Sequence, residues 1–125
     1  MGDAKLAMLD INDLGEIVAL ALTSDKHFGK TYELSGLTYT NEVLAETLSK
    51  VLGKKVSYID IPEEKAKESM LSNHMPEWMV NAMMELNYIT KQGWTAGYSD
   101  DYKNLTGKEY TSAETFFTNN KQAFL

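Results

Sequence analysis

The order of hydrophobic periodicities is the tightest constraint on how this 125-residue chain folds. Up to Pro62, short segments of strand character alternate with segments of helical repeat, and beyond it every apolar repeat is helical. Strands that alternate with helices pair in parallel or mixed sheets, so the pattern predicts an α/β fold with a helical C-terminal half. Residues 5–9, 30–35 and 56–61 are the expected strands, giving a small three-stranded mixed or parallel sheet beside five to six helices. A sheet of three short strands usually extends a larger one.

The helical segments carry their own punctuation. Leu14, Ile17, Val18, Ala21 and Leu22 recur at one-turn spacing behind Asp10, Asn12 and Asp13, any of which can cap a helix start. Gly36 closes the second expected strand. Thr38 or Thr40 then caps a helix whose stripe is Val43, Leu44, Thr47, Leu48, Val51 and Leu52, with Gly53 placed for a left-handed terminus. Pro62 and Pro76 sit where prolines start helices. Trp78, Met79, Ala82, Met83, Leu86 and Ile89 form the strongest amphipathic repeat, which Gly93 ends. Residues 94–100 are expected as a loop and residues 101–105 as a short helix stopped by Gly107; Thr111 to Glu114 matches a capping box ahead of a final helix. With no internal repeat and no low-complexity linker, residues 1–125 are expected as a single domain.

Composition removes several function classes. A net charge of −6 opposes binding to nucleic acid, which needs a basic surface to neutralise phosphates, and opposes docking on an anionic membrane. No apolar run approaches the roughly 20 residues that span a bilayer. The start of the chain lacks the pattern of a signal peptide, so a cytoplasmic location is expected. With no cysteine there is no disulfide, thiolate nucleophile or thiolate metal site.

A dinucleotide needs a glycine-rich turn between strand and helix, so that its pyrophosphate can approach the backbone. The eight glycines, at 2, 15, 29, 36, 53, 93, 97 and 107, include no pair two apart, and the glycine-rich phosphate loop is absent too. None of the seven tyrosines has a lysine four residues on. His27 and His74 lie in no metal-ligand spacing and read as surface histidines. Glu63-Glu64 and Asp100-Asp101 read as helix-start electrostatics, because adjacent carboxylates on a helix point apart. No catalytic, cofactor-binding or metal-ligating residue is therefore expected. The stripe of Met75, Met79 and Met83 with Trp78 is more often core packing, but its functional reading is the wall of an apolar pocket. Trp94, Tyr98 and Tyr88 lie near the end of the same helix and could face that space.

An ordered series of segments resembles one family. Asp10-Ile11-Asn12-Asp13-Leu14-Gly15-Glu16 resembles the D-x-x-D-hydrophobic-x-E step found late in NmrA-like and related atypical short-chain dehydrogenases. Gly29-Lys30-Thr31-Tyr32-Glu33-Leu34-Ser35-Gly36 is similar to their G-K-x-Y-E-L-x-G strand, and Leu52-Gly53-Lys54-Lys55-Val56 to the helix end that follows. Tyr58-Ile59-Asp60-Ile61-Pro62, Met75-Pro76-Glu77-Trp78 and the run from Asp100 to Lys108 resemble the family's Y-x-x-x-P, L-P-E-W and D-D-x-x-x-L-T-G-R steps in the same order. The resemblance covers nearly the whole chain and is nearest to NAD(P)H-dependent quinone or flavin reductases.

That resemblance implies a Rossmann-like protein of which this chain is the C-terminal, substrate-side lobe, with the dinucleotide-binding half absent. NAD(P)H is implied for the full-length family, and no cofactor is expected on this chain alone. The substrate-binding residues it implies, together with their apolar character, are Met75, Trp78, Met79, Trp94 and Tyr98, around a small apolar aromatic ligand. The expected partner is a second copy or a separate Rossmann half. The alternatives are a non-catalytic small-molecule- or protein-binding regulatory module and a truncated relic.

Overall fold

The computed structural model describes residues 2–125. Strand β1 (Lys5–Met8) leads into helix α1 (Ile11–Thr23) and a short 3-10 turn (Asp25–His27). Strand β2 (Leu37–Thr40) then feeds helix α2 (Asn41–Leu52). Helices α3 (Glu63–Ser72), α4 (Glu77–Lys91), α5 (Asp101–Thr106) and α6 (Ala113–Asn119) follow, and a last 3-10 turn covers Lys121–Phe124. The α/β class, six helices and a helical C-terminal half agree with the sequence reading.

The sheet does not. Among the described residues it has two strands, and they run antiparallel, with Lys5 opposite Thr40 and Met8 opposite Leu37. Residues 30–35 and 56–61 join no ladder. A strand exists through its pairing, and these segments spend backbone groups elsewhere. Glu33 gives its N–H to the Asp101 carboxylate at 2.7 Å. Val56 receives a hydrogen bond from the Ser49 hydroxyl at its carbonyl (3.0 Å) and returns its own N–H to the same oxygen (2.8 Å). The partner of β1 is instead Leu37-Thr38-Tyr39-Thr40, two of whose residues read as helix caps. The outer edge of β1 is covered by Thr95, whose carbonyl accepts from Ala7 N–H at 2.7 Å.

Local chemistry places the helix ends. The Asp10 carboxylate accepts from Asn12 N–H at 2.8 Å and the Thr40 hydroxyl from Val43 N–H at 3.2 Å, which satisfies donors that a helix start leaves unpaired. Gly53 and Gly107 take left-handed conformations at the ends of α2 and α5. Pro62 and Pro76 sit just before their helices rather than in the first turn. The expected capping box shifts by one residue: Ser112, not Thr111, caps α6 by accepting from Thr115 N–H at 3.1 Å. Thr111 is withdrawn from capping because it bonds a buried carboxylate in α1.

The core is small. Ile17, Tyr102 and Tyr110 are buried together, with Leu9, Leu20, Leu34, Leu37 and Leu105 packed around them. Helix α1 therefore buries a different stripe from the expected one. Ile17 is inside, but Leu14, Val18 and Leu22 are exposed, with Leu22 at 81% and Ile11 at 77%. Asp13 and Ile17, one turn apart, define the inward face, so the helix is turned by polar contacts rather than by its largest apolar side chains.

Gly36 is the tightest backbone approach. It has φ of +72°, and a Cβ there would stand 1.9 Å from the Met8 carbonyl oxygen. Neither the conformation nor the space admits a side chain. Gly15, inside α1, meets nothing within 4 Å. Urea unfolding should therefore separate the two: Gly36→Ala loses roughly 3 kcal/mol, whereas Gly15→Ala gains about 0.5–1 kcal/mol.

Candidate functional site

The best-built polar site ties the first helix to the last third of the chain. Asp13, on the inward face of α1, is 5% exposed. Its carboxylate accepts from Thr111 N–H at 2.7 Å, from the Thr111 hydroxyl at 2.8 Å and from the Tyr102 hydroxyl at 3.3 Å. A carboxylate leaves water at low cost only when such donors replace its hydration. One turn on, Glu16 accepts from the Tyr102 hydroxyl at 3.0 Å and from Lys108 Nζ at 2.7 Å. Asp13 sits on the helix stripe that faces the core and Glu16 at its margin.

This clamp supports a row of aromatic rings. Tyr102 stacks on Tyr110, with centroids 4.8 Å apart and planes at 18°. Tyr98 meets Tyr110 edge-on at 6.2 Å. Burial, and then the Glu16 and Asp13 carboxylates, push the Tyr102 phenol well above its ordinary range, so it remains a neutral donor. The hydrogen bonds from Lys108 and then Tyr102 hold the Glu16 carboxyl below its ordinary range. Neither group is poised to exchange a proton near neutral pH, so the cluster is a positioning device.

Of the residues singled out from sequence, Tyr98 alone joins this row. Trp78 is 69% exposed at the start of α4, and Trp94 is 75% exposed in the loop beyond its end. Met79 lies exposed beside Trp78, and Met75 is half-buried in the turn before α4. Helix α4 has 15 residues. Its two ends are thus roughly 20 Å apart at 1.5 Å per residue, too far for Trp78 and Trp94 to touch one small ring. Neither the cleft at Tyr39 and Phe117 nor the one at Tyr58 and Lys91 is lined by any of the five. Sequence reading placed Asp13 among possible helix caps and missed its burial, although its position one turn before Ile17 was the available signal.

The residues present do not fit a dinucleotide. A pyrophosphate needs free N–H groups and positive potential at a helix start. Every described helix of eight residues or more carries an acid in its first turn: Asp13 in α1, Glu42 in α2, Glu63 and Glu64 in α3, Glu77 in α4. The turn between β1 and α1 holds Asp10, whose carboxylate already occupies the Asn12 N–H. Among the described residues, no group of three acidic or histidine side chains could hold a metal ion, and no helix is long and apolar enough to cross a membrane.

Asp13→Ala leaves the half-buried Thr111 N–H without an acceptor, and chemical unfolding should show a loss of about 3 kcal/mol. Glu16 gives a pH signature. Its folded-state pKa lies below that of an ordinary glutamate, so its contribution is present above the ordinary value and is lost as pH falls through the folded one. A profile of Tm against pH should therefore drop below that point in the wild type and drop less steeply in Glu16→Gln.

Comparison with known proteins adds the relationship. The NmrA-like family model matches residues 1–117. An NAD(P)H azoreductase from Xenophilus azovorans is 29% identical over 125 residues, covering 99% of this chain and 44% of that protein. The structure of a Citrobacter triphenylmethane reductase superposes with a TM-score of 0.80 at 28% identity, over 96% of this chain and 42% of that one. An NADPH-dependent quinone oxidoreductase from Escherichia coli, solved in complex with NADPH, superposes with a TM-score of 0.83 at 25% identity, over 96% of this chain and 43% of that one. The chain thus spans well under half the length of these relatives, and with a family model matched over nearly all of its residues it belongs to the NmrA-like family.

Proposed function

We infer that this chain is the substrate-side portion of an NAD(P)H-dependent reductase of the quinone or flavin reductase kind. Its share of the work is to bind and orient a small apolar aromatic substrate, and it does not transfer hydride alone. The observation that carries this reading is the contrast within one chain. It matches the family over residues 1–117, yet it lacks a glycine-rich turn and presents acidic helix starts where a pyrophosphate would need positive potential. In this reading Met75, Trp78 and Met79, at the start of α4, form one wall of a substrate cavity whose other wall comes from the nucleotide-binding portion, while Trp94 and Tyr98, beyond the far end of α4, face that portion without touching the same ring. The exposure of Trp78 and Trp94 supports that role, since large aromatic side chains in water are available for a partner to cover.

The partner in this reading is the nucleotide-binding portion rather than a second copy. Ile11, Leu14, Val18 and Leu22 expose a stripe along one 13-residue helix. That stripe is an apolar surface for such a partner to cover.

Calorimetric titration of the purified chain with NADPH should show no binding at roughly millimolar nucleotide, whereas mixing with the N-terminal portion of a related reductase should restore NADPH-dependent reduction of a simple quinone. Micromolar binding of NADPH to the chain alone contradicts the reading. In the reconstituted enzyme, Trp78→Ala should raise KM for the quinone by about tenfold with little change in the affinity for NADPH.

A further inference from the structure

We propose that a cleft between α2, α6 and the end of β1 is a second binding site, for an uncharged single-ring aromatic compound that carries a hydrogen-bond-accepting oxygen. It shares no residue with the aromatic wall assigned above and does not depend on that assignment.

The cleft has about 110 Å³ of internal space. Leu9, Leu44, Phe116 and Phe117 supply its apolar walls, with Tyr39 and Asp10 as polar members. An apolar cavity of roughly 150 Å³ takes a benzene ring, so a half-open one of this size takes one ring with its substituent at the mouth.

Its walls are held apart from several directions, so the space does not close by simple repacking. Phe117 is wedged edge-on between Phe116 and Phe124, at 5.8 and 5.4 Å. Ala113 N–H donates to the Tyr39 hydroxyl at 3.0 Å and fixes the start of α6 against β2. Thr111, just before α6, is bonded to Asp13 through both its N–H and its hydroxyl. The pairing of β1 with β2 holds Met8, which lines the cleft, opposite Leu37.

Two polar groups choose the ligand. The Tyr39 hydroxyl accepts the Ala113 N–H, and its own proton makes no hydrogen bond among the described residues, so a donor is available in a mostly apolar cleft. A ligand carbonyl or ether oxygen satisfies it. The Asp10 carboxylate, held by Asn12 N–H and side-chain amide, places negative charge at the same cleft. It repels a carboxylate ligand and leaves a neutral one unaffected.

The test follows backbone amide shifts of the isotope-labelled full chain during titration with acetophenone, toluene and benzoate. Acetophenone should give saturable shifts centred on Tyr39, Leu44, Ala113 and Phe117. Toluene should move the same amides with about fivefold weaker affinity, and benzoate should bind at least about tenfold more weakly than acetophenone. In Tyr39→Phe the preference for acetophenone over toluene should vanish, and Leu44→Trp, which fills the cleft, should abolish all shifts. The proposal is overturned if the wild-type chain shows no saturable shift, if benzoate binds as well as acetophenone, or if the shifts centre on Trp78 and Trp94. The wild-type comparison of three ligands decides the question even if a variant fails to fold.

Discussion

A carboxylate buried without partners is among the least tolerable features of a protein interior, and the fold of this chain is arranged around one that is fully partnered. Asp13 is joined to Thr111, 98 residues away in sequence, through two hydrogen bonds under 3 Å. The contact closes a long loop, whose entropic cost grows only slowly with length, and in doing so it fixes the face that α1 turns inward. Ile17 is buried as a consequence, and Leu14, Val18 and Leu22 are left in water. A second carboxylate, Glu16, shares the Tyr102 hydroxyl and adds Lys108, so α1, α5 and the segment before α6 move as one body.

The same clamp connects stability to recognition. Tyr102 is held by both carboxylates, Tyr110 stacks on Tyr102, and Tyr98 rests its edge on Tyr110. Tyr98 is therefore oriented through two rings by a buried carboxylate. Trp78, at the start of α4, and Trp94, beyond its end, have no such support among the described residues and stand exposed. The chain thus has a firm interior around α1, α5 and the start of α6, and a large apolar surface elsewhere. That division fits a lobe that keeps its shape while offering a face to another part of an enzyme.

Much of the architecture was legible in the residues because its causes are local. Asp10 and Thr40 cap helices, Gly53 and Gly107 end them in the left-handed region, and the apolar repeat of α4 marks its length. Strands were harder, because alternation marks a segment that could pair and says nothing of whether a partner is near. Residues 30–35 alternate and residues 56–61 are apolar on both faces, yet neither joins a ladder, whereas Thr38 and Thr40 pair because Ala7 and Lys5 lie beside that segment. The stripe of α1 was misjudged for a related reason: hydrophobicity ranked Leu14 and Val18 above Asp13, and a donor set nearly a hundred residues away reversed the order. The series of family-like segments survived these errors, since it depends on residue identity and order rather than on pairing. The cleft beside Tyr39 had no sequence signature, because its walls come from residues 8–10, 39–44 and 111–117.

Amide hydrogen exchange at Thr111 tests the central clamp most directly. If the bond from Thr111 N–H to Asp13 organises the chain, that amide exchanges only when the whole molecule unfolds, with a protection equal to the global stability and matched by Ile17 in α1. Exchange of Thr111 at the rate of the exposed 94–100 loop, while Ile17 stays protected, would contradict the account.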